Sequence, residues 1–188
     1  QSCFTDFKGL SRQWMRNTEE ERLLGVSLTG ILDSKMMTNQ TNDSLPALLS
    51  NLRLTAVSTN RKWSKYLGIE PSAAITCVKP SGTVSQLVDA ASGIHPRHSS
   101  YYIRTVRADK KDPLTKFMTE KGFPVEDELL KPQSMSVFSF PVKAPKGALT
   151  RDKLSAIDHL KIWQVYSAHW CEHKPSITVS VQENEWME

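Results

Sequence analysis

Residues 73–85 read AAITCVKPSGTVS, and the way this stretch folds decides the architecture. Residues 73–78 are a short apolar run suited to a buried strand. Lys79-Pro80-Ser81-Gly82-Thr83 has the composition of a turn, and residues 84–92 can form a short helix ended by Gly93. Strand, turn and helix in that order form the unit of an α/β fold. Outward from it the same alternation continues. Residues 44–68 predict a helix, with Ser44 as N-cap, Pro46 in the first turn and Gly68 as a left-handed stop. Leu45, Leu48, Leu49, Leu52, Ala56, Trp63, Tyr66 and Leu67 share its apolar face, opposite Arg53, Arg61, Lys62 and Lys65. Residues 101–106 and 135–142 predict strands, Asp112-Pro113 caps a helix that stops at Gly122, and residues 154–170 predict another helix. Ile177, Val179 and Val181 alternate with polar residues as a half-buried strand. Thr18-Glu19-Glu20-Glu21 predicts a capping box that starts a helix. Residues 23–31 then either continue that helix or form a short buried strand closed by Gly30. The polar residues 38–43 read as a surface loop. The fold class is α/β with mostly parallel strands.

The turn at 79–85 also carries chemistry. A strand ends and a helix begins, so orphan backbone N–H groups, hydroxyls and a glycine without a side chain crowd one point. Those are the parts of a phosphate cradle, with Lys79 as an added charge. A β-to-α turn with a Ser/Thr cap is the plainer account of the same residues. The stretch is neither a Walker loop nor a dinucleotide fingerprint. Gly25 and Gly30 have the first P-loop spacing, but Ile31 and Leu32 stand where Lys and Ser/Thr are needed.

Composition bounds the rest. The chain has 188 residues, 39% hydrophobic and 23% charged, which excludes disorder as the main state. No apolar run reaches the roughly 18 residues that span a bilayer, so no membrane role is expected. A net charge of +4 suits a polyanionic ligand without requiring nucleic acid. The three cysteines, Cys3, Cys77 and Cys171, are too few and too scattered for a disulfide scaffold and point to a reducing, cytoplasmic setting. The chain runs from Gln1 to Glu188, and both ends read as cuts in a longer enzyme.

Three further clusters have two readings each. His95, Arg97, His98, Tyr101, Tyr102 and Arg104 are either a polar wall facing an anion or an exposed polar loop. His169, Cys171 and His173 are zinc-competent on a strand, yet they sit at a helix end without a fourth ligand, and no metal site is assigned. Trp63 and Tyr66 with Arg61, Lys62 and Lys65 read as an amphipathic helix rather than a nucleic-acid patch.

Three blocks carry a resemblance: residues 19–33 (EEERLLGVSLTGILD), 77–107 (CVKPSGTVSQLVDAASGIHPRHSSYYIRTVR) and 169–185 (HWCEHKPSITVSVQENE). In this order the chain resembles the adenosylcobalamin-dependent, class II ribonucleotide reductases, in their ribonucleoside-triphosphate branch. The resemblance implies a ten-stranded α/β barrel, of which residues 1–188 would be a single partial domain, the second half-barrel with about five strands. Residues 25–30 would then be a barrel strand. It implies that Ser81, Gly82, Thr83, Val84 and Ser85 hold substrate phosphates, Ser81 and Thr83 partly through hydroxyls and the others through N–H groups. It implies adenosylcobalamin as cofactor; no cofactor-binding residue is assigned, His95 and His98 being weak candidates. It also implies ribonucleoside triphosphate as substrate and thioredoxin as reductant.

In that family a cysteine thiyl radical, formed when the carbon–cobalt bond breaks, takes the 3′-hydrogen of the ribose. The finger loop that carries this cysteine, with its Asn and Glu, is not in this sequence, nor is a C-terminal cysteine pair. None of Cys3, Cys77 and Cys171 matches a catalytic position, so no catalytic residue is assigned. The expectation is a truncated chain, a split-gene product or an intein-separated part. Inactive alone, it would need a missing N-terminal half-barrel as partner. The alternatives are a non-catalytic nucleotide- or anion-binding module and a class I large-subunit fragment.

Overall fold

The computed structural model describes residues 6–38 and 44–187. In chain order the elements are α1 (Arg12–Glu21), β1 (Val26–Ser27), a 3-10 turn (Ile31–Asp33), α2 (Lys35–Thr38), α3 (Ser44–Leu67) and β2 (Thr76–Cys77). Then follow α4 (Val84–Leu87), β3 (Tyr101–Asp109), α5 (Pro113–Glu120), β4 (Val125–Asp127), β5 (Met135–Lys143), α6 (Ala156–His169) and a 3-10 turn (Glu183–Glu185). The chain divides into two compact units, Gln1–Arg97 with Gly147–Glu188, and His98–Lys146. No helix among the described residues is long and apolar enough to cross a membrane.

The α/β class stands, but the strands are not mostly parallel. Among the described residues β1 and β2 are the one parallel strand pair, with Val26 opposite Thr76 and Ser27 opposite Cys77, beside an isolated parallel bridge between Arg97 and Thr150. The unit 98–146 is an antiparallel sheet of order β3-β5-β4, with Tyr101 opposite Lys143 at one end of its long ladder. α5 fits its expected caps: the Asp112 carboxylate accepts from Leu114 N–H at 2.8 Å, Pro113 opens the helix, and Gly122 takes φ 76° beyond its end.

The core of the larger unit gathers Ile31, Leu32, Leu45, Leu49, Val78, Ile94, Ile162, Tyr166 and Trp170. α3 supplies Leu45 and Leu49, as its periodicity predicts. Its C-terminal half does not follow the pattern. Trp63 is 50% and Tyr66 81% exposed, while Asn60 and Ser64 are buried. Polar locks explain the difference. Asn60 accepts from the Ser72 N–H at 2.9 Å and donates to the Ser72 hydroxyl at 3.0 Å, so this amide faces inward and turns the aromatics out.

Three other expectations change. Thr18 lies inside α1 and donates to the Trp14 carbonyl at 2.7 Å, so it caps nothing, and Glu19, Glu20 and Glu21 sit at the helix's negative end. α4 stops at Leu87, because Asp89 takes a left-handed φ of 45°. Residues 177–182 make no strand pairing among the described residues, although Ile177 packs on the core. The alternation is there, but a strand needs a neighbour. Most of residues 38–43 lie outside the described residues; Thr38 ends α2.

Two charged side chains fasten the β2-to-α4 region. Arg97, buried after Ile94, forks onto Asp33: Nε donates to Oδ1 at 3.0 Å and Nη2 to Oδ2 at 2.9 Å. Asp33 Oδ2 also accepts from Ala91 N–H at 2.7 Å. Arg97 further donates to the Asp89 carboxylate at 3.0 Å and to the Asp89 carbonyl at 2.5 Å. The Asp33 carboxylate is 13% exposed and that of Asp89 72%, so the first pair carries most of the energy. On β2, Glu172 Oε2 accepts from the N–H groups of Ile75 at 2.5 Å and Thr76 at 2.8 Å. Burial raises the Glu172 pKa, but the Thr76 and Ile75 N–H groups, the Thr76 hydroxyl and the Arg53 charge outweigh it, and the net shift is downward.

Two predictions follow from these clamps. Arg97→Met leaves Asp33 buried without a counter-charge and costs about 3 kcal/mol or more in urea unfolding, whereas Asp89→Asn costs about 1 kcal/mol or less. A depressed carboxyl pKa adds stability above the unfolded-state value and loses it as pH falls through the folded one. Glu172→Gln therefore destabilises the chain at neutral pH by about 1–2 kcal/mol, and its unfolding midpoint falls less than the parent's as the solution is acidified.

Candidate functional site

β2 delivers the chain to residues 79–85 from a fixed strand end. The Thr76 hydroxyl donates to the Trp170 carbonyl at 2.6 Å, and the Trp170 indole N–H donates to the Cys77 carbonyl at 2.7 Å. Gly93 lies against this strand exit with φ 54°, and a Cβ there would sit 3.1 Å from the Lys79 carbonyl oxygen. Both the backbone conformation and the close approach call for glycine. Ser92 then holds the start of the turn, its hydroxyl accepting from Ser81 N–H at 2.6 Å.

Inside the turn two serines lock each other. The Ser81 hydroxyl accepts from Ser85 N–H at 2.9 Å, and the Ser85 hydroxyl donates to the Ser81 carbonyl at 2.5 Å. Ser85 is fully buried. Gly82, Thr83 and Val84 are exposed at the crest between them. Thr83 stands at the N-cap position of α4 without a side-chain capping bond. Among the described residues, the N–H groups of Thr83 and Val84 make no hydrogen bond. A Cβ on Gly82 would meet nothing within 4 Å, and its φ is not left-handed. Neither packing nor backbone geometry therefore requires glycine at 82.

The five expected phosphate ligands are thus adjacent but unlike. Two are spent on shaping the turn, and the crest of three faces outward. The residues of the polar wall expected just beyond are divided between the two units. Arg97 is turned onto Asp33 and Asp89 rather than toward a ligand. His95 donates from Nδ1 to the Ser92 carbonyl at 3.0 Å. Tyr101, Tyr102 and Arg104 lie on β3 of the other unit, where His98 packs edge-on to Tyr102 with ring centres 6.0 Å apart. Asp33, Ser92 and Glu172 carry the support, and none of them was singled out by the sequence. Asp33 and Glu172 lie inside the blocks 19–33 and 169–185, but spacing alone gives neither a partner.

Among the described residues no cysteine thiol is exposed. Cys77 and Cys171 are buried. Burial pushes the Cys171 pKa up to about 11, against a smaller opposing pull from the Val78 N–H. At neutral pH that thiol stays protonated, so it serves neither as nucleophile nor as thiolate ligand. Cys3 lies outside the described residues. His169 pairs through Nδ1 with the Ser50 hydroxyl at 3.1 Å, and no group of three or more His, Cys, Asp or Glu that could hold a metal occurs among the described residues. Buried His159 places Nε2 on the Ile94 carbonyl at 2.6 Å. These engaged histidines do not compose a cobalt ligand set.

No protein-family model matches the chain. It is 27% identical over 174 residues to an adenosylcobalamin-dependent ribonucleoside-triphosphate reductase of Euglena gracilis, covering 91% of this chain and 24% of that protein. A probable enzyme of the same name from Dictyostelium discoideum is 32% identical over 121 residues, 64% of this chain and 16% of its own. The Levilactobacillus brevis protein of that name is 30% identical over 133 residues, 69% of this chain and 18% of its own. The chain thus spans about a quarter or less of the curated relatives it matches. The crystal structure of a B12-dependent class II ribonucleotide reductase superposes with a TM-score of 0.74 at 23% identity, covering 90% of this chain and 27% of that one. Over most of its length the chain is homologous to one segment of the adenosylcobalamin-dependent ribonucleoside-triphosphate reductases, and it has the fold of the corresponding part of the class II enzyme.

Proposed function

We propose that this chain is the substrate-phosphate-binding part of a ribonucleotide reductase that converts ribonucleoside triphosphates to 2′-deoxyribonucleotides. Residues 1–188, both compact units included, act as one partial catalytic domain in a cytoplasmic enzyme. Radical chemistry is left to the missing N-terminal half-barrel with its finger-loop cysteine, and re-reduction to thioredoxin. When bound, adenosylcobalamin would supply the initiating radical. The chain alone is inactive, because the radical cysteine belongs to the missing half and the described thiols, Cys77 and Cys171, are buried.

The single observation that carries this proposal is the turn at 81–85. Its frame is closed internally by Ser81 and Ser85, while Gly82, Thr83 and Val84 remain exposed at the crest. Backbone N–H groups at such a point are donors for phosphate oxygens. A glycine demanded by neither packing nor φ keeps the backbone open to close approach by a ligand. The Ser81 hydroxyl has a double duty. It already accepts the Ser85 N–H, and its own proton is what it can donate to phosphate.

The test separates binding from shape. Ribonucleoside triphosphate binding to the 188-residue chain is measured by calorimetry for the parent, Gly82→Ala, Thr83→Ala and Ser81→Ala. The first two variants lose about tenfold in affinity with melting temperatures changed by no more than about 1 °C, each losing one or two charge-assisted contacts. Ser81→Ala loses affinity and also about 1 kcal/mol of stability, because Ser85 N–H is left without its acceptor. Undiminished triphosphate affinity in Gly82→Ala and Thr83→Ala would overturn the proposal.

A further inference from the structure

Arg22 combines two unfavourable features at one position. It ends α1 in the left-handed region, with φ 42° and ψ 44°, where its N–H donates to the Thr18 carbonyl. Glycine would adopt that conformation without penalty. Its guanidinium Nε is buried and has no hydrogen-bond partner. A buried N–H without an acceptor is costly, and such groups are rare in folded chains. Helix capping uses only the backbone of this residue; the face of its guanidinium lies over the Phe7 ring at 5.8 Å from the centroid, which leaves the Nε–H on its edge unpaired.

The side chain lines a cavity of about 270 Å³ shared with Phe7, Leu24, Asn60, Ile69 and Ser72. Apart from the Glu70 carboxylate, the other polar side chains of this wall are already satisfied. Asn60 and Ser72 bond each other, and the buried Ser64 hydroxyl donates to the Arg61 carbonyl at 3.1 Å. The unspent donor is therefore Arg22 Nε. Its complement is an anionic acceptor, and the planar guanidinium edge matches a carboxylate. Phe7, Leu24 and Ile69 offer apolar surface to a short alkyl chain. The volume is at the lower limit of small-molecule sites and admits only a few carbon atoms. Glu70 also lines the cavity, and its charge opposes a dianion more than a monoanion.

We propose that Arg22 and this cavity bind a small aliphatic monocarboxylate. The site shares no residue with the turn at 81–85 and does not depend on the function assigned to that turn. The residue's strain and its unsatisfied Nε are then the free-state cost of a preformed anion fork.

Butyrate is the probe. The 188-residue chain is titrated with it while the Arg22 Nε–H and Asn60 side-chain NMR signals are followed, with inorganic phosphate in a parallel titration. The expected result is a saturable shift of the Arg22 Nε–H with butyrate and at least tenfold weaker binding of phosphate. Arg22→Gly, which relieves the left-handed strain, is expected to stay folded and to lose at least tenfold in butyrate affinity at the Asn60 signal. Absence of a saturable butyrate response would overturn the proposal and leave buried water as the partner of Nε. An equal response to phosphate, or undiminished butyrate binding in Arg22→Gly, would overturn it as well.

Discussion

The fork of Arg97 onto Asp33 is the constraint on which the larger unit depends. The Asp33 carboxylate, on the 3-10 turn after β1, accepts from the Ala91 N–H and twice from the Arg97 guanidinium, which also donates to Asp89 in the loop that leaves α4. Backbone bonds fasten the same residue to the return segment: Arg97 N–H donates to the Leu149 carbonyl and Arg151 N–H to that of Arg97. A buried pair of this kind adds little net stability over an apolar substitute, but losing one partner is expensive. Its effect here is specificity of position. Ser92, which holds Ser81, lies between Ala91 and Arg97 and is placed by both.

From this frame the candidate site inherits a division of labour. Hydroxyls and amides that face inward shape the turn, and those that face outward are available to a ligand. Ser81 and Ser85 belong to the first set through reciprocal bonds across four residues. The N–H groups of Thr83 and Val84 belong to the second. At the far end of β2, Glu172 and Trp170 satisfy backbone and hydroxyl groups that a two-residue ladder with β1 leaves over. Arg22 shows the opposite case, a donor that no residue on its wall satisfies.

What was legible in the sequence is what local physics decides. Gly68 as the stop of α3, Asp112-Pro113 as the start of α5, and the passage from β2 through a serine-rich turn into α4 depend on neighbours in the chain. The resemblance of three blocks to class II reductases added the wider fold, which the comparisons show. What was not legible is non-local. Arg97 reads as a ligand group until Asp33, 64 residues away, claims it. Glu172 reads as part of a polar helix end until the amides of β2 reach it. Trp63 and Tyr66 fit a buried helical face, yet Asn60 bonds to Ser72 and takes that place. Residues 177–182 alternate as a strand does, but alternation supplies no partner for the backbone.

The central claim is that the backbone amides at the crest of the turn, and not the amide of Ser85 locked beneath it, meet phosphate. The most direct test follows the backbone amide signals of residues 81–85 by NMR while a ribonucleoside triphosphate is added to the 188-residue chain. The account predicts large saturable shifts at Thr83 and Val84 and a small one at Ser85, whose N–H is already donated to Ser81. Shifts at Ser85 equal to those at the crest, or none anywhere in the turn, would contradict it.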